Sequence, residues 1–339
     1  MVYSGLLVLK PVKTLSNVIL RRLFGLPLEE TSVEQRGFRV ATDEMRARLE
    51  QIGETFLDGY HAALESPASP ALAARLNSAD AEVRGFAFEG AAMGLALRDT
   101  LTPWRPDRVT NFLSGDGNAH AYMVHVGVGW LWARFHLGFR RFGRRLDPLL
   151  SWLTFDGWGF HEGFFHWPKY VAGEPAPRRL VAYERRAFDQ GLGRSWWFVN
   201  GGNPELIAQT IAGLSAERRP DMWSGVGLAA TYAGLASEGV LRALRDIAGP
   251  AWPQLAQGAA FAAKARQRAD NLTPYTDLAT KVLCGLSAAD AARLCDTTLE
   301  NLPANATQPA FEVWRQRIQQ QFQTPREARA TQPLQQVCR

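Results

Sequence analysis

Cysteine is scarce in this sequence, and none of it is spaced for a metal or disulfide framework. The three residues are Cys284, Cys295 and Cys338, an odd count with no Cys-x-x-Cys pair. That usage fits reduced thiols in the cytoplasm and argues against a disulfide scaffold or a zinc ribbon. Long apolar runs are missing as well. The nearest, Ala119 to Gly138, is broken by His120, His125, Arg134 and His136, so nothing reads as a membrane span. The start, Met1 to Leu9, meets Lys10 and Pro11 too soon for a secretory apolar region, and no small-residue cleavage site follows. Export is therefore not expected. Also absent are a Gly-x-Ser-x-Gly elbow, a P-loop, a Gly-x-Gly-x-x-Gly after a strand, and a Cys-x-x-Cys-His haem attachment. Hydrolase and nucleotide-dependent chemistry have no support in the motifs, and strand signals are few.

What the chain does contain is apolar and aromatic. Its 339 residues are 46% hydrophobic and 21% charged, enough to bury a large core. Eleven tryptophans are a heavy load, which either a well-filled helical core or a large apolar ligand explains. The net charge is +5, with arginine pairs at Arg140-Arg141, Arg144-Arg145, Arg178-Arg179 and Arg185-Arg186. These fit an anionic partner, whether nucleic acid, phosphate or an acidic acyl carrier protein, or solvated helix faces. No nucleic-acid fingerprint accompanies them, and no nucleic-acid partner is expected. Leu6 to Leu28 mixes Lys10, Lys13, Arg21 and Arg22 with apolar residues and would either lie on a membrane surface or pack on its own domain.

Helical periodicity recurs along the chain. Thr42 to Leu64 opens on Thr42-Asp43-Glu44 and continues with Met45, Leu49, Ile52, Phe56 and Leu57 on one face. Helices are predicted over Pro67 to Leu76, Asp80 to Leu97 with Asp80 as cap, and Ala119 to Leu137. Further helices follow over Leu149 to Trp167, Arg178 to Asn200, Pro204 to Leu214, Arg218 to Ala236, Glu238 to Ile247 and Trp252 to Asn271. Pro274 to Cys284, Ser287 to Leu299 and a polar helix from Pro309 to about Gln323 complete a single all-α, multi-helix domain over 1–339.

One motif, an aromatic followed by an acid or amide and then glycine, recurs at Phe56-Leu57-Asp58-Gly59, Phe86-Ala87-Phe88-Glu89-Gly90, Phe160-His161-Glu162-Gly163 and Phe188-Asp189-Gln190-Gly191. A second recurs as Gly127-Val128-Gly129 and Gly225-Val226-Gly227. Gly59 to Gly163 spans 104 residues, Gly90 to Gly191 spans 101, and Gly127 to Gly225 spans 98. Near-constant offsets in the same order predict two similar halves, about 40–140 and 145–240, related by a pseudo-twofold, with 241–339 as a C-terminal helical extension. A mid-helix glycine costs about 1 kcal/mol relative to alanine, so these glycines mark close approach by another helix or by a ligand.

The densest chemistry lies in Phe155 to Trp167, which holds six aromatics, two histidines, two acids and three glycines. His161 and Glu162 followed by His166 resemble a zinc-protease motif, but histidines five apart diverge by about 140° on a helix. Glu162 and His166, four apart, share a face and form the expected proton-transfer pair, with His161 and Asp156 as further catalytic candidates. His125, Trp130, Trp158, Phe160, Phe164 and Trp167 are the expected substrate wall. No metal ligand set is assigned. His125 and His136 lie about 16 Å apart along a helix, too far for one ion.

Five strings together resemble a known family: Arg84 to Gly94, His125 to Trp130, Asp156 to His161 with His166-Trp167, Phe188 to Ser195, and Trp223 to Ala229. The sequence is similar, from about residue 30 to 320, to bacterial domain-of-unknown-function family 1702, whose genes are associated with enediyne polyketide clusters. The resemblance implies a pathway and assigns no catalytic residue. With it, the expected function is a cofactor-independent tailoring enzyme, a cyclase or isomerase, acting on a hydrophobic polyene-type polyketide. Two alternatives stand beside it: a non-catalytic protein that sequesters product or scaffolds other pathway enzymes, and a metal or haem oxidoreductase using His125, His161 and His166.

Overall fold

The computed structural model describes residues 15–66, 70–136, 143–303 and 307–323, and every regular element among them is helical. Helix α1 (Leu15–Phe24) and a 3-10 turn (Leu28–Thr31) precede α2 (Asp43–Glu65), α3 (Pro70–Asn77), α4 (Arg84–Leu101), α5 (Arg108–Ser114) and α6 (Ala121–Phe135). Then come α7 (Leu153–Phe165), α8 (Trp167–Val171), α9 (Tyr183–Val199), α10 (Pro204–Ala212), α11 (Arg219–Tyr232), α12 (Glu238–Ala248) and α13 (Trp252–Arg268). Helices α14 (Pro274–Leu283), α15 (Ala288–Leu299) and α16 (Ala310–Gln323) end the described chain. The all-α expectation holds, and among the described residues no helix is long and apolar enough to cross a membrane. The amphipathic segment read from Leu6 lies partly outside the described residues.

Local chemistry sets the boundaries. Thr42, Asn203, Ser237, Thr273 and Ser287 each accept the amide three residues on, starting α2, α10, α12, α14 and α15. Asp80 does not cap its helix as expected. Its carboxylate accepts the Glu82 amide at 2.8 Å and its carbonyl accepts the Arg84 amide at 2.7 Å, closing a turn ahead of α4. The helix predicted over Leu149 to Trp167 is split at His166 (φ −127°, ψ 24°). Pro168 has no amide to donate back to the preceding turn, so α7 ends and a short α8 begins.

Helices α2, α4, α6, α7, α9, α11 and α13 lie side by side in chain order. Glycine sets their spacing. A Cβ on Gly191 would fall inside the Asp156 carbonyl of α7, and one on Gly193 would fall against Met222 of α11. The same arrangement recurs along the row. Gly90, Gly127, Gly157, Gly191, Gly225 and Gly258 meet the backbone of the preceding helix, and Gly59, Gly129, Gly159, Gly193 and Gly227 meet that of the next. Bare backbone on backbone brings the axes closer than side chains permit. The first set recurs at intervals from 30 residues, Gly127 to Gly157, to 37, Gly90 to Gly127. The unit that repeats is thus one long helix with its connection. Offsets near 100 span three such units, which matches Gly90 with Gly191 and Gly127 with Gly225. Gly163 is out of register with Gly59: it meets Ser195 and Leu192 side chains, and the position equivalent to Gly59 is Gly159.

The row curls until its ends meet. Arg48 of α2 donates to the Ala233 carbonyl after α11 at 3.0 Å, Arg266 of α13 donates to the Glu82 carbonyl at 2.8 Å, and Phe86 of α4 meets Tyr232 of α11 edge-on at 5.4 Å. Helices α14, α15 and α16 pack on α13. Arg315 of α16, fully buried, meets Asp221 of α11 at 2.8 Å, while Arg186 of α9 bridges Asp221 at 2.9 Å and Glu312 at 2.8 Å. The curl leaves an interior between the two sides of the row, where the candidate site lies.

Candidate functional site

Inside the curl, helices α2, α4, α6, α7 and α9 enclose an apolar cavity of about 40 Å³. Phe56, Phe86, Trp130, Phe160, Phe164, Phe165 and Phe198 form its walls, and the turn carrying Leu26, Glu30 and Thr31 covers it. Trp130 is the centre of the aromatic packing, its ring 4.4 Å from Phe56 and 5.4 Å from Phe160. The Leu26 amide donates to His61 Nε2 at 3.2 Å, the Val33 amide to Glu50 at 3.0 Å, and Arg36 pairs with Glu30 at 2.5 Å.

One acid stands in the inner wall. Glu89 of α4 is 1% exposed; its Oε1 accepts the Trp130 indole N–H at 2.9 Å, and its Oε2 has no hydrogen-bond partner among the described residues. Burial pushes its carboxyl up to about 7, against the opposing pull of the Arg194 guanidinium and the indole N–H. A carboxyl that titrates near neutrality, with one oxygen unused, both gives and takes a proton at physiological pH.

Behind Glu89 lies a polar seam. Arg194 of α9 is paired with Asp156 of α7, Gln190 donates to the same carboxylate at 2.7 Å, and the guanidinium lies 4.8 Å from the Phe160 ring centre. Ser224 Oγ continues the chain, 3.2 Å from Gln190 and 2.9 Å from Gln257. A second apolar cavity of about 20 Å³ adjoins this seam, lined by Asp156, Arg194, Tyr122, Leu228, Tyr232 and Phe261 among others.

On the outer side, a cleft of about 1050 Å³ shares Glu30 and Phe165 with the aromatic cavity. His161, Glu162, His166 and Tyr170 line it. Glu162 accepts the Tyr170 hydroxyl at 3.1 Å, and its Oε1 lies 3.6 Å from His161 Nδ1. Burial raises the Glu162 carboxyl, but His161, His166 and Tyr170 more than offset this and leave it below the usual range. Burial lowers the His161 imidazole despite Glu162 beside it.

The expected residues therefore divide among the cavity, the cleft, the seam and positions outside all three. Trp130, Phe160 and Phe164 line the aromatic cavity. Glu162 finds Tyr170 and His161 as neighbours, while His166, expected to pair with it on one helix face, caps α7 and is exposed, because the helix ends before it. Asp156 belongs to the interior seam. Trp158 is buried with its ring 5.9 Å from His136 and 5.4 Å from the Arg179 guanidinium, away from the cavity wall. Trp167 donates to the Arg36 carbonyl at 2.9 Å, and the Arg39 guanidinium lies 5.2 Å from its ring. His125 is buried with Nδ1 2.7 Å from the Ala121 carbonyl of its own helix and lies outside the cavity wall. Among the described residues no group of three His, Cys, Asp or Glu is placed to hold a metal ion.

Glu89 was the residue that motif reading passed over. It stands in Phe86-Ala87-Phe88-Glu89-Gly90, where glycine drew attention to packing. The signal was an acid inside a stretch, Gly85 to Leu97, that is otherwise uncharged and buried throughout.

Fold and site define an all-α protein of glycine-seamed helices curled around a buried aromatic cavity with one acid in its inner wall. The chain matches, over residues 15–322, the family of proteins of unknown function designated DUF1702, and it belongs to that family. No curated protein and no solved structure matches it.

Proposed function

We propose that the protein is a cofactor-independent isomerase or cyclase of enediyne-type polyketide biosynthesis, acting in the cytoplasm on a polyene precursor whose chain enters the aromatic cavity. The observation that carries this reading is Glu89, a carboxyl near pKa 7 with a free oxygen in an otherwise apolar aromatic wall. The Glu89 carboxylate takes an allylic proton from the ligand, and the resulting carboxylic acid returns it at a distant carbon as the double bonds shift. No electrons enter or leave the site, so no redox partner is required. Aromatic faces favour a flat conjugated chain, and a dry cavity keeps the carbanionic intermediate from bulk water. At about 40 Å³ the cavity is smaller than a polyene, so the Leu26 to Thr31 cover lifts for entry. The pathway assignment rests on the family's association with enediyne clusters, and the cytoplasmic location on buried free Cys284 and Cys295.

The test is deletion of the gene, mass spectrometry of the intermediate that accumulates, and complementation with Glu89→Gln. An uncyclised or unshifted polyene is expected to accumulate, and the variant is expected to leave it accumulating. Full restoration of product by Glu89→Gln would remove Glu89 as the proton carrier and favour a sequestering role.

A further inference from the structure

The outer cleft adjoins the aromatic cavity and differs from it in chemistry. Arg36, Arg134, Lys169, Arg178 and Arg179 line it, against Glu30, Glu162 and Glu174. Two of those acids are already engaged, Glu30 by Arg36 at 2.5 Å and Glu162 by the Tyr170 hydroxyl at 3.1 Å. His161 also lines the cleft. It is 4% exposed, and neither ring nitrogen has a hydrogen-bond partner among the described residues, the nearer acid oxygen standing off at 3.6 Å. A buried imidazole left open in this way has one N–H to donate and one lone pair to fill.

We propose that the cleft binds the anionic end of the ligand whose apolar chain enters the cavity, so that the substrate is an amphiphile ending in a carboxylate or phosphate. This rests on the reading of the cavity given above. The partition between the two spaces supplies the link. Glu30 and Phe165 face both, and Arg36 pairs with Glu30 while its guanidinium lies 5.1 Å from the Phe165 ring centre. A ligand anion arriving at Arg36 replaces the Glu30 carboxylate with another of the same charge. Glu30 then leaves with the covering turn, and the mouth of the cavity opens at the place where the head group is held. Arg134, Lys169 and Arg178 are exposed on the cleft rim and draw the anion in; His161 N–H donates to it at the floor.

Binding of cis-parinaric acid, its methyl ester and parinaryl phosphate to the full chain, followed by fluorescence, tests the idea. Both anions are expected to bind at least tenfold more tightly than the ester at low salt. Arg134→Ala/Lys169→Ala/Arg178→Ala is expected to bring them to the level of the ester and leave the ester unchanged. The tighter of the two anions names the head group. Ile52→Phe, which narrows the cavity, should weaken all three probes together. Equal affinity of acid, phosphate and ester overturns the head-group site while the cavity reading stands. Failure of every probe to bind, or binding untouched by Ile52→Phe, overturns both.

Discussion

Trp130 on α6 donates its indole N–H to Glu89 on α4 across 2.9 Å, and this one bond decides which carboxylate oxygen is left for a ligand. It also holds an acid among the aromatic rings of the inner wall. Burial raises the Glu89 carboxyl from about 4.5 to about 7, so the native state keeps a proton that the unfolded chain releases. The stability tied to that proton is complete below about pH 4.5 and is lost as pH rises through about 7. Its size is on the order of 3 kcal/mol. Glu89→Gln keeps an acceptor for Trp130 and has nothing to ionise. Urea denaturation of parent and variant is expected to show the variant gaining on the parent between pH 5 and pH 8. A difference independent of pH would show that Glu89 is not the titrating group.

Gly191 and Gly239 both lie within helices, yet their replacement by alanine should have opposite effects. The added methyl at 191 meets the Asp156 backbone carbonyl, which cannot rotate away, and α7 and α9 must separate. A loss of about 3 kcal/mol or more follows, at or beyond the upper end of overpacking costs. At 239 the methyl stands in the open on α12, its nearest neighbour Ser237 Oγ at 3.8 Å, and gains up to about 1 kcal/mol. Thermal melts of the two variants check the sign.

Asp156→Asn leaves the Arg194 guanidinium buried without its anion, which costs about 3–5 kcal/mol. Replacing both by apolar residues, as in Asp156→Leu/Arg194→Met, is expected to recover most of that loss in urea. In the single variant Glu89 becomes the nearest anion for Arg194, and the pH window of the Glu89 effect shifts downward. A single variant as stable as the parent would mean that the pair is not dry.

Burial pushes the Cys284 thiol up to about 12 and raises Cys295 as well. Reactivity needs the thiolate and access, and both residues lack both. Iodoacetamide at pH 8 should leave Cys284 and Cys295 unmodified in the folded chain and alkylate both in urea, as peptide mass mapping would show. Alkylation of either one before unfolding would contradict the packing of α13 against α14 and α15.

The residue pattern alone determined the helical class and the extent of most helices, because apolar periodicity and side-chain caps act within a few residues of one another. It also marked the glycines as sites of close approach. Phe160 and Phe164 were legible as pocket lining from the aromatic density of Phe155 to Trp167, and Trp130 from the glycines beside it. What faces the cavity was decided by the curl of the row, a contact between residues far apart in the chain. Trp158 and Phe160, two residues apart on one helix, look in different directions, and only Phe160 meets the interior. His166 still acts on the Glu162 carboxyl and lines the same cleft, but Pro168 ends the helix beyond it and leaves it exposed. Glu89 appeared apolar by company until α6 and α7 closed over it; burial then raised its carboxyl toward neutrality, and burial belongs to the tertiary structure.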